Sequence, residues 1–209
     1  MSKVRLTGST SGYTELTAPA SAGNNTLVLP TGNGSNGQIL GTDGAGNLSW
    51  VGGRMVLETA KASTSSTSVD FTGIPSWVKR VTVMFDKVGT NGVSPFLVQL
   101  GTSSGFTASG YASRAYGVTT NTTASSIGFL LNDNSLAYGI YYGAIPINNI
   151  TGNTFVYSGL LTDTSNPGGA SARVGGGVVL SNSLDRLRIT TVNGTDTFDE
   201  GTINLLLEG

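Results

Sequence analysis

Residues 77–88 read "WVKRVTVMFDKV", and the order of these residues decides the fold. Val81, Val83 and Phe85 fall on one side of an extended chain, and Arg80, Thr82, Met84 and Asp86 on the other. Strand side chains alternate between two faces, so a period of two with β-branched enrichment predicts a half-buried strand. The same reading applies to "RLRITTV" (186–192), with Leu187 and Ile189 on one face. In "TINLLLEG" (202–209), Ile203, Leu205 and Leu207 oppose Asn204 and Glu208. No eleven-residue window carries the i, i+3, i+4, i+7 stripe of an amphipathic helix. Turn signals separate the strands: Asn33-Gly34, Asp43-Gly44, Asn91-Gly92, Pro167-Gly168-Gly169 and Asn193-Gly194. Glycine and asparagine tolerate the positive φ that tight hairpins require. The expected fold class is all-β.

The chain divides near residue 53. Residues 1–52 are short strand-like pieces, among them "KVRLT", "NTLVLP" and "NLSWV", with few apolar side chains between polar, glycine-rich turns. A β segment this poor in core formers is marginal alone. We expect a small N-terminal β segment that intertwines or self-associates, and that does not fold alone as a monomer. Leu27, Leu29, Leu40 and Trp50 are the candidate self-association and attachment residues, because their own segment offers few apolar partners. The tract "KASTSSTS" (61–68) reads as a polar loop. Residues 53–209 form the second domain; about eight strand candidates from residue 69 onward suffice for a β-sandwich or jelly roll.

Composition removes several functions. The 209 residues include 31 glycines and only 11% charged residues, with net charge −1. The cations are scattered, never more than two side by side, which argues against the clustered charge that nucleic-acid binding exploits. No run of 18 apolar residues and no apolar leader is present, so neither membrane insertion nor conventional secretion is expected. Cysteine and histidine are both absent. Disulfides, thiolate metal sites and the usual general base are therefore excluded.

Three catalytic patterns nevertheless occur. Gly32-Asn33-Gly34-Ser35-Asn36-Gly37 matches G-x-G-x-x-G, but another strand and turn follow where a phosphate-binding helix should begin. Gly101–Gly105 matches the G-x-S-x-G nucleophile elbow, yet no histidine exists to activate Ser103. Ser76–Lys79 matches S-x-x-K where Pro75 leads into an extended strand, which would hold the two side chains apart. In a glycine- and serine-rich background such matches arise without function. No enzyme and no cofactor is expected.

Two clusters could hold ligands. Asp196, Asp199 and Glu200 lie together in "NGTDTFDEG", as solvated hairpin charges, as a calcium site on a sugar-binding loop or, furthest off, as a glycosidase carboxylate pair. The "DGAGN" stretch (43–47) reads as a hairpin turn rather than a calcium loop, because no second carboxylate follows before Glu58. Tyrosines concentrate in "AYGIYYGAI" (137–145), with Tyr111 and Tyr116 upstream. Tyr138, Tyr141 and Tyr142 are candidate glycan contacts, since rigid amphipathic rings make sugar platforms. Ordinary half-buried strand residues would show the same pattern, with Tyr138 and Tyr142 on one face and Tyr141 on the other.

Residues 6–51, "LTGSTSGYTELTAPASAGNNTLVLPTGNGSNGQILGTDGAGNLSWV", resemble a segment recurrent in fibre and other virion structural proteins of tailed bacteriophages, including cyanophages. The likeness lies in the Gly-Ser-Thr-Ser-Gly opening, the "TLVLPTGNG" middle and the "LxTDGxGNLxW" end. "GIPSWVKRVTVMFDKVGTNG" (73–92) and "TVNGTDTFDEGTINLLLEG" (191–209) are similar to the C-terminal domain of such proteins. The resemblance implies a virion component assembled in the infected bacterial cytoplasm, commonly a homotrimer. Its N-terminal part would dock to other virion proteins of tail, baseplate or capsid, and its β-rich part would face host-surface glycans. Long tail fibres carry many repeats, whereas one segment occurs here. A short tail or capsid fibre is therefore expected, with a capsid decoration protein as the alternative, and a carbohydrate-binding module or glycan-degrading spike further off.

Overall fold

The alternation at residues 80–86 becomes a central strand of a β-sheet. The computed structural model describes residues 3–21, 23–35, 38–51, 55–117, 122–133, 135–165 and 170–209. The expected Pro167-Gly168-Gly169 turn, and Asn36 and Gly37 of the glycine pattern, lie outside the described residues. Among those described there is no helix, and strands predominate. The chain separates into two compact units, Met1–Gly53 and Arg54–Gly209.

The first unit holds β1 (Lys3–Thr7), β2 (Tyr13–Thr17), β3 (Ile39–Thr42) and β4 (Leu48–Val51). These form two separate antiparallel hairpins, β1–β2 and β3–β4. The stretch expected as the strand "NTLVLP" contributes only a parallel bridge, Val28 to Asn47. It is held there by Val28 N–H donating to the Gly46 carbonyl at 2.9 Å and Leu48 N–H donating to the Val28 carbonyl at 2.8 Å.

The second unit begins with β5 (Met55–Leu57), β6 (Lys61–Ala62), β7 (Ser68–Thr72), β8 (Arg80–Thr90), β9 (Phe96–Thr102), β10 (Gly105–Phe106) and β11 (Ala112–Tyr116). It continues with β12 (Thr122–Ser125), β13 (Phe129–Leu130), β14 (Tyr141–Thr151), β15 (Thr154–Asp163), β16 (Ala170–Val179), β17 (Arg186–Thr191) and β18 (Phe198–Glu208). A large, curled sheet runs β12-β11-β16-β15-β14-β8-β18-β5, with β6 also on β18. A smaller one runs β10-β9-β17-β7, with β13 on β9. Their inner faces share one hydrophobic core, the arrangement of a sandwich.

That core follows the alternation read from sequence. Val81, Val83 and Phe85 of β8 and Ile203, Leu205 and Leu207 of β18 are buried. They meet Leu187 and Ile189 of β17, which are also buried, in the same cluster. Rings interlock across the layers. Phe96 of β9 meets Tyr141 of β14 edge-on at 4.9 Å, and Phe129 of β13 stacks on Tyr157 of β15 at 4.2 Å. Polar groups cross the same interface: Tyr157 Oη donates to the Leu130 carbonyl at 2.8 Å and lies 2.7 Å from Ser113 Oγ. Ser113 Oγ in turn accepts the Leu130 N–H at 2.8 Å. The Tyr111 hydroxyl accepts the Leu100 N–H at 2.8 Å.

Two local departures from the expected pattern have physical causes. Strict alternation would turn Lys87 inward, but its φ is 58° and the strand bulges there. Val88 is buried instead, and Lys87 points out to an ion pair with Glu200. The partner strand accommodates the bulge with Gly201 at φ 92°, where an added Cβ would lie 2.2 Å from the Lys87 carbonyl oxygen. The polar tract 61–68 is not simply a loop. Its first two residues are β6, and buried Ser63 ties to β18 through its N–H to the Gly201 carbonyl (3.0 Å) and its hydroxyl to the Glu200 carbonyl (2.8 Å).

Candidate functional site

In Met1–Gly53 none of the described residues is buried. The β1–β2 hairpin sorts its side chains by face. Val4 pairs with Leu16 and Leu6 with Thr14 on one side, leaving Val4, Leu6 and Leu16 exposed. On the other side Arg5 pairs with Glu15 at 2.9 Å, and its guanidinium lies over the Tyr13 ring at 4.1 Å. A hairpin with one bare apolar face is at best marginally stable in water.

The β3–β4 hairpin is built by its turn. Asp43 Oδ1 accepts the Ala45 and Asn47 N–H groups at 2.8 and 3.1 Å, and Oδ2 accepts the Asn47 side-chain amide at 2.6 Å. These hydrogen bonds, that from the Asn47 side chain first, hold the Asp43 carboxyl below the usual carboxylate range. The carboxylate closes a turn, as the sequence reading of "DGAGN" expected.

The four candidate self-association residues divide. Leu27 is 67% exposed, Leu29 70% and Leu40 45%. Trp50 differs: its indole N–H donates to the Gly32 carbonyl at 2.5 Å, and its ring lies against Gly34. A Cβ at Gly34 would fall 2.7 Å from that ring, so the glycine pattern serves tryptophan packing. Trp50 thus has partners inside its own segment, contrary to expectation, and the three leucines are the bare ones.

The three tyrosines also divide. Tyr138 sits in the turn before β14 and is 68% exposed, and Tyr142 is 38% exposed on β14. Tyr141 is corrected: it is buried against Phe96 in the core, and desolvation raises its hydroxyl pKa. A ring closed in the core cannot stack on a sugar.

The acidic cluster disperses. Asp196 accepts the Ser94 N–H at 2.9 Å and the Asn193 side-chain amide at 2.6 Å, which pins one loop to another. Glu200 is paired with Lys87, while Asp199 lies beside Gly89, its pKa raised by burial and then by Glu200. Among the described residues no three carboxylates gather as metal ligands. Ser103 lies in the β9–β10 turn. Pro75–Val78 is a hydrogen-bonded turn, Val78 N–H to the Pro75 carbonyl at 3.0 Å, rather than the extended chain expected at Ser76–Lys79.

One feature of the second unit escaped the sequence reading. A groove of about 870 Å³ lies along β11, β12 and β16, bordered by Arg114, Tyr116 and Arg173 with Gly175 among its lining residues. A second hollow of about 520 Å³ shares Tyr116 and Arg173 with it. Arg114 and Arg173 read as isolated cations in sequence; only antiparallel register brings them together. Comparison with family models, curated proteins and solved structures gave no match to this chain.

Proposed function

We propose that this chain is a structural component of a bacteriophage virion, a short trimeric fibre attached to tail or capsid. Its N-terminal unit serves assembly and docking, and its β-sandwich is presented outward for host-surface contact. The reading joins the virion-protein resemblance of residues 6–51 to one structural observation: Met1–Gly53 has no buried residue among those described, yet exposes Leu16, Leu27 and Leu29. Covering a large apolar side chain contributes roughly 1.5–3 kcal/mol, so packing these residues against copies of the same segment supplies a core that one copy lacks. Hairpin edges with free N–H and C=O groups gain from the same association. A closed cyclic assembly satisfies both without open-ended growth. The protein then works through shape and contact and is not an enzyme.

Light scattering on the intact chain tests this reading. The expected mass is three times that of the 21.3 kDa chain. Leu29→Asp should return it to the monomer while the sandwich keeps its thermal transition. A wild-type monomer would overturn the reading.

A further inference from the structure

Four of the described arginines are ion-paired: Arg5 with Glu15, Arg80 with Glu208, Arg186 with Asp185 and Arg188 with Asp70. Among the described residues, Arg114 and Arg173 are the two arginines with no carboxylate partner, and both border the groove. Register explains their meeting. Arg114 faces Gly175 across β11 and β16, and Tyr116 faces Arg173, so all four belong to the outer face of the large sheet. The two guanidinium-bearing positions are diagonal neighbours, about 7–8 Å apart between Cα atoms in an antiparallel pair. The intervening residues Ala115 and Val174, and Ser113 before Arg114, are buried on the opposite face, which fixes the orientation.

Two unpaired like charges at this spacing repel each other, and an anion placed between them relieves that repulsion. A guanidinium offers a planar fork of donors matched to carboxylate, sulfate or phosphate. Asp133, whose carboxylate lies against Gly117, forms no ion pair with either arginine. Tyr116, half exposed, lies opposite Arg173 and two residues along the strand from Arg114, and presents an aromatic ring of the kind on which a sugar stacks. Gly175 keeps the space open: a Cβ there would meet only the Tyr157 carbonyl oxygen, at an ordinary 3.6 Å. Sheet packing therefore does not demand glycine at this position, and its missing side chain deepens the groove. The volume lies within the range of small-ligand sites.

We infer that this groove binds an anionic saccharide, its acidic group forked by Arg114 and Arg173 and its ring laid on Tyr116. The inference deepens the host-contact part of the proposed function and rests on it for where the saccharide is met, whereas binding itself stands on the groove. Two cations are too few for a polynucleotide track, and one aromatic ring beside them suits a sugar better than a bare inorganic anion.

Calorimetric titration of the intact protein tests it, with oligogalacturonate, sulfated dextran, uncharged dextran of equal length and inorganic phosphate as probes. At least one acidic oligosaccharide should bind tenfold or more tightly than uncharged dextran and phosphate. Carboxylated or sulfated preference identifies the acidic group. Arg114→Ala and Arg173→Ala should each weaken binding by about tenfold or more, the size of a lost charged hydrogen bond. Gly175→Leu, which leaves both charges in place, should block the groove with the thermal transition unchanged. Absence of any acidic preference, equal binding of inorganic phosphate, or full affinity in the arginine variants would overturn the inference. A monomer that binds the acidic probe would retain the site and sink the fibre reading; a trimer that ignores it would do the reverse.

Discussion

The two units of this chain use the same local code and reach opposite ends. In β1, Val4 and Leu6 alternate with Arg5, just as Val81, Val83 and Phe85 alternate with Thr82 and Met84 in β8. The β8 residues are buried, whereas Val4 and Leu6 are 59% and 61% exposed. The difference lies in what covers each face. In Arg54–Gly209 a second sheet lies over the first and closes one shared core. In Met1–Gly53 two hairpins stand without a covering layer among the described residues. Alternation prepares a face for burial; only another layer buries it.

Truncating one core side chain of the sandwich should test this contrast most strongly. Phe96 is fully buried and touches both the Tyr141 and Phe198 rings. Phe96→Ala should cost about 3–5 kcal/mol, measured by chemical denaturation of the sandwich. A loss below about 1 kcal/mol would mean that the two sheets do not share a tight core.

Alkaline titration sharpens the comparison next. Burial pushes the Tyr111 and Tyr157 hydroxyls up to about 12. In the unfolded chain these groups ionise near 10. The native state therefore keeps two protons that the unfolded state has released, so stability is complete below about pH 10 and falls as pH rises towards 12. Each group contributes on the order of 2 kcal/mol to that fall. Tyrosinate absorbance followed alongside circular dichroism should show their ionisation coinciding with loss of the sandwich. Tyr157→Phe should flatten the alkaline slope; ionisation of both groups near pH 10 with the fold intact would contradict the burial argument.

The smallest effect belongs to the N-terminal hairpin. Glu15→Gln removes the partner of Arg5, whose side chain is 54% exposed. An exposed pair of this kind contributes about 0.5 kcal/mol or less, so the sandwich transition should not move. A shift of several degrees would mean that β1–β2 is coupled to the core.

Much of the fold is legible in the sequence. The all-β class, the inward sets of β8, β17 and β18, and the "DGAGN" turn follow from alternation and turn chemistry, both properties of neighbouring residues. The bulge is not, because Lys87 is an unusual residue to hold positive φ, and the glycine that makes room for it, Gly201, lies on another strand. Alternation put Tyr141 and Tyr142 on opposite faces without saying which of them is buried. Both sit in one tyrosine-rich run, and the neighbour that buries Tyr141 is Phe96, far away in the chain.

By itself, then, the amino-acid order determined which side chains share a face, where hairpins turn, and that histidine and thiol chemistry is absent. The tertiary structure alone decided which faces are covered, that Trp50 is satisfied by Gly32 and Gly34 while Leu27 and Leu29 stay bare, and that Arg114 and Arg173 stand together beside Tyr116. The physical reason is one of range. Side-chain direction in a strand is set by the pleat, over two residues. Burial and charge pairing are set by register between strands, which joins residues that no local pattern connects.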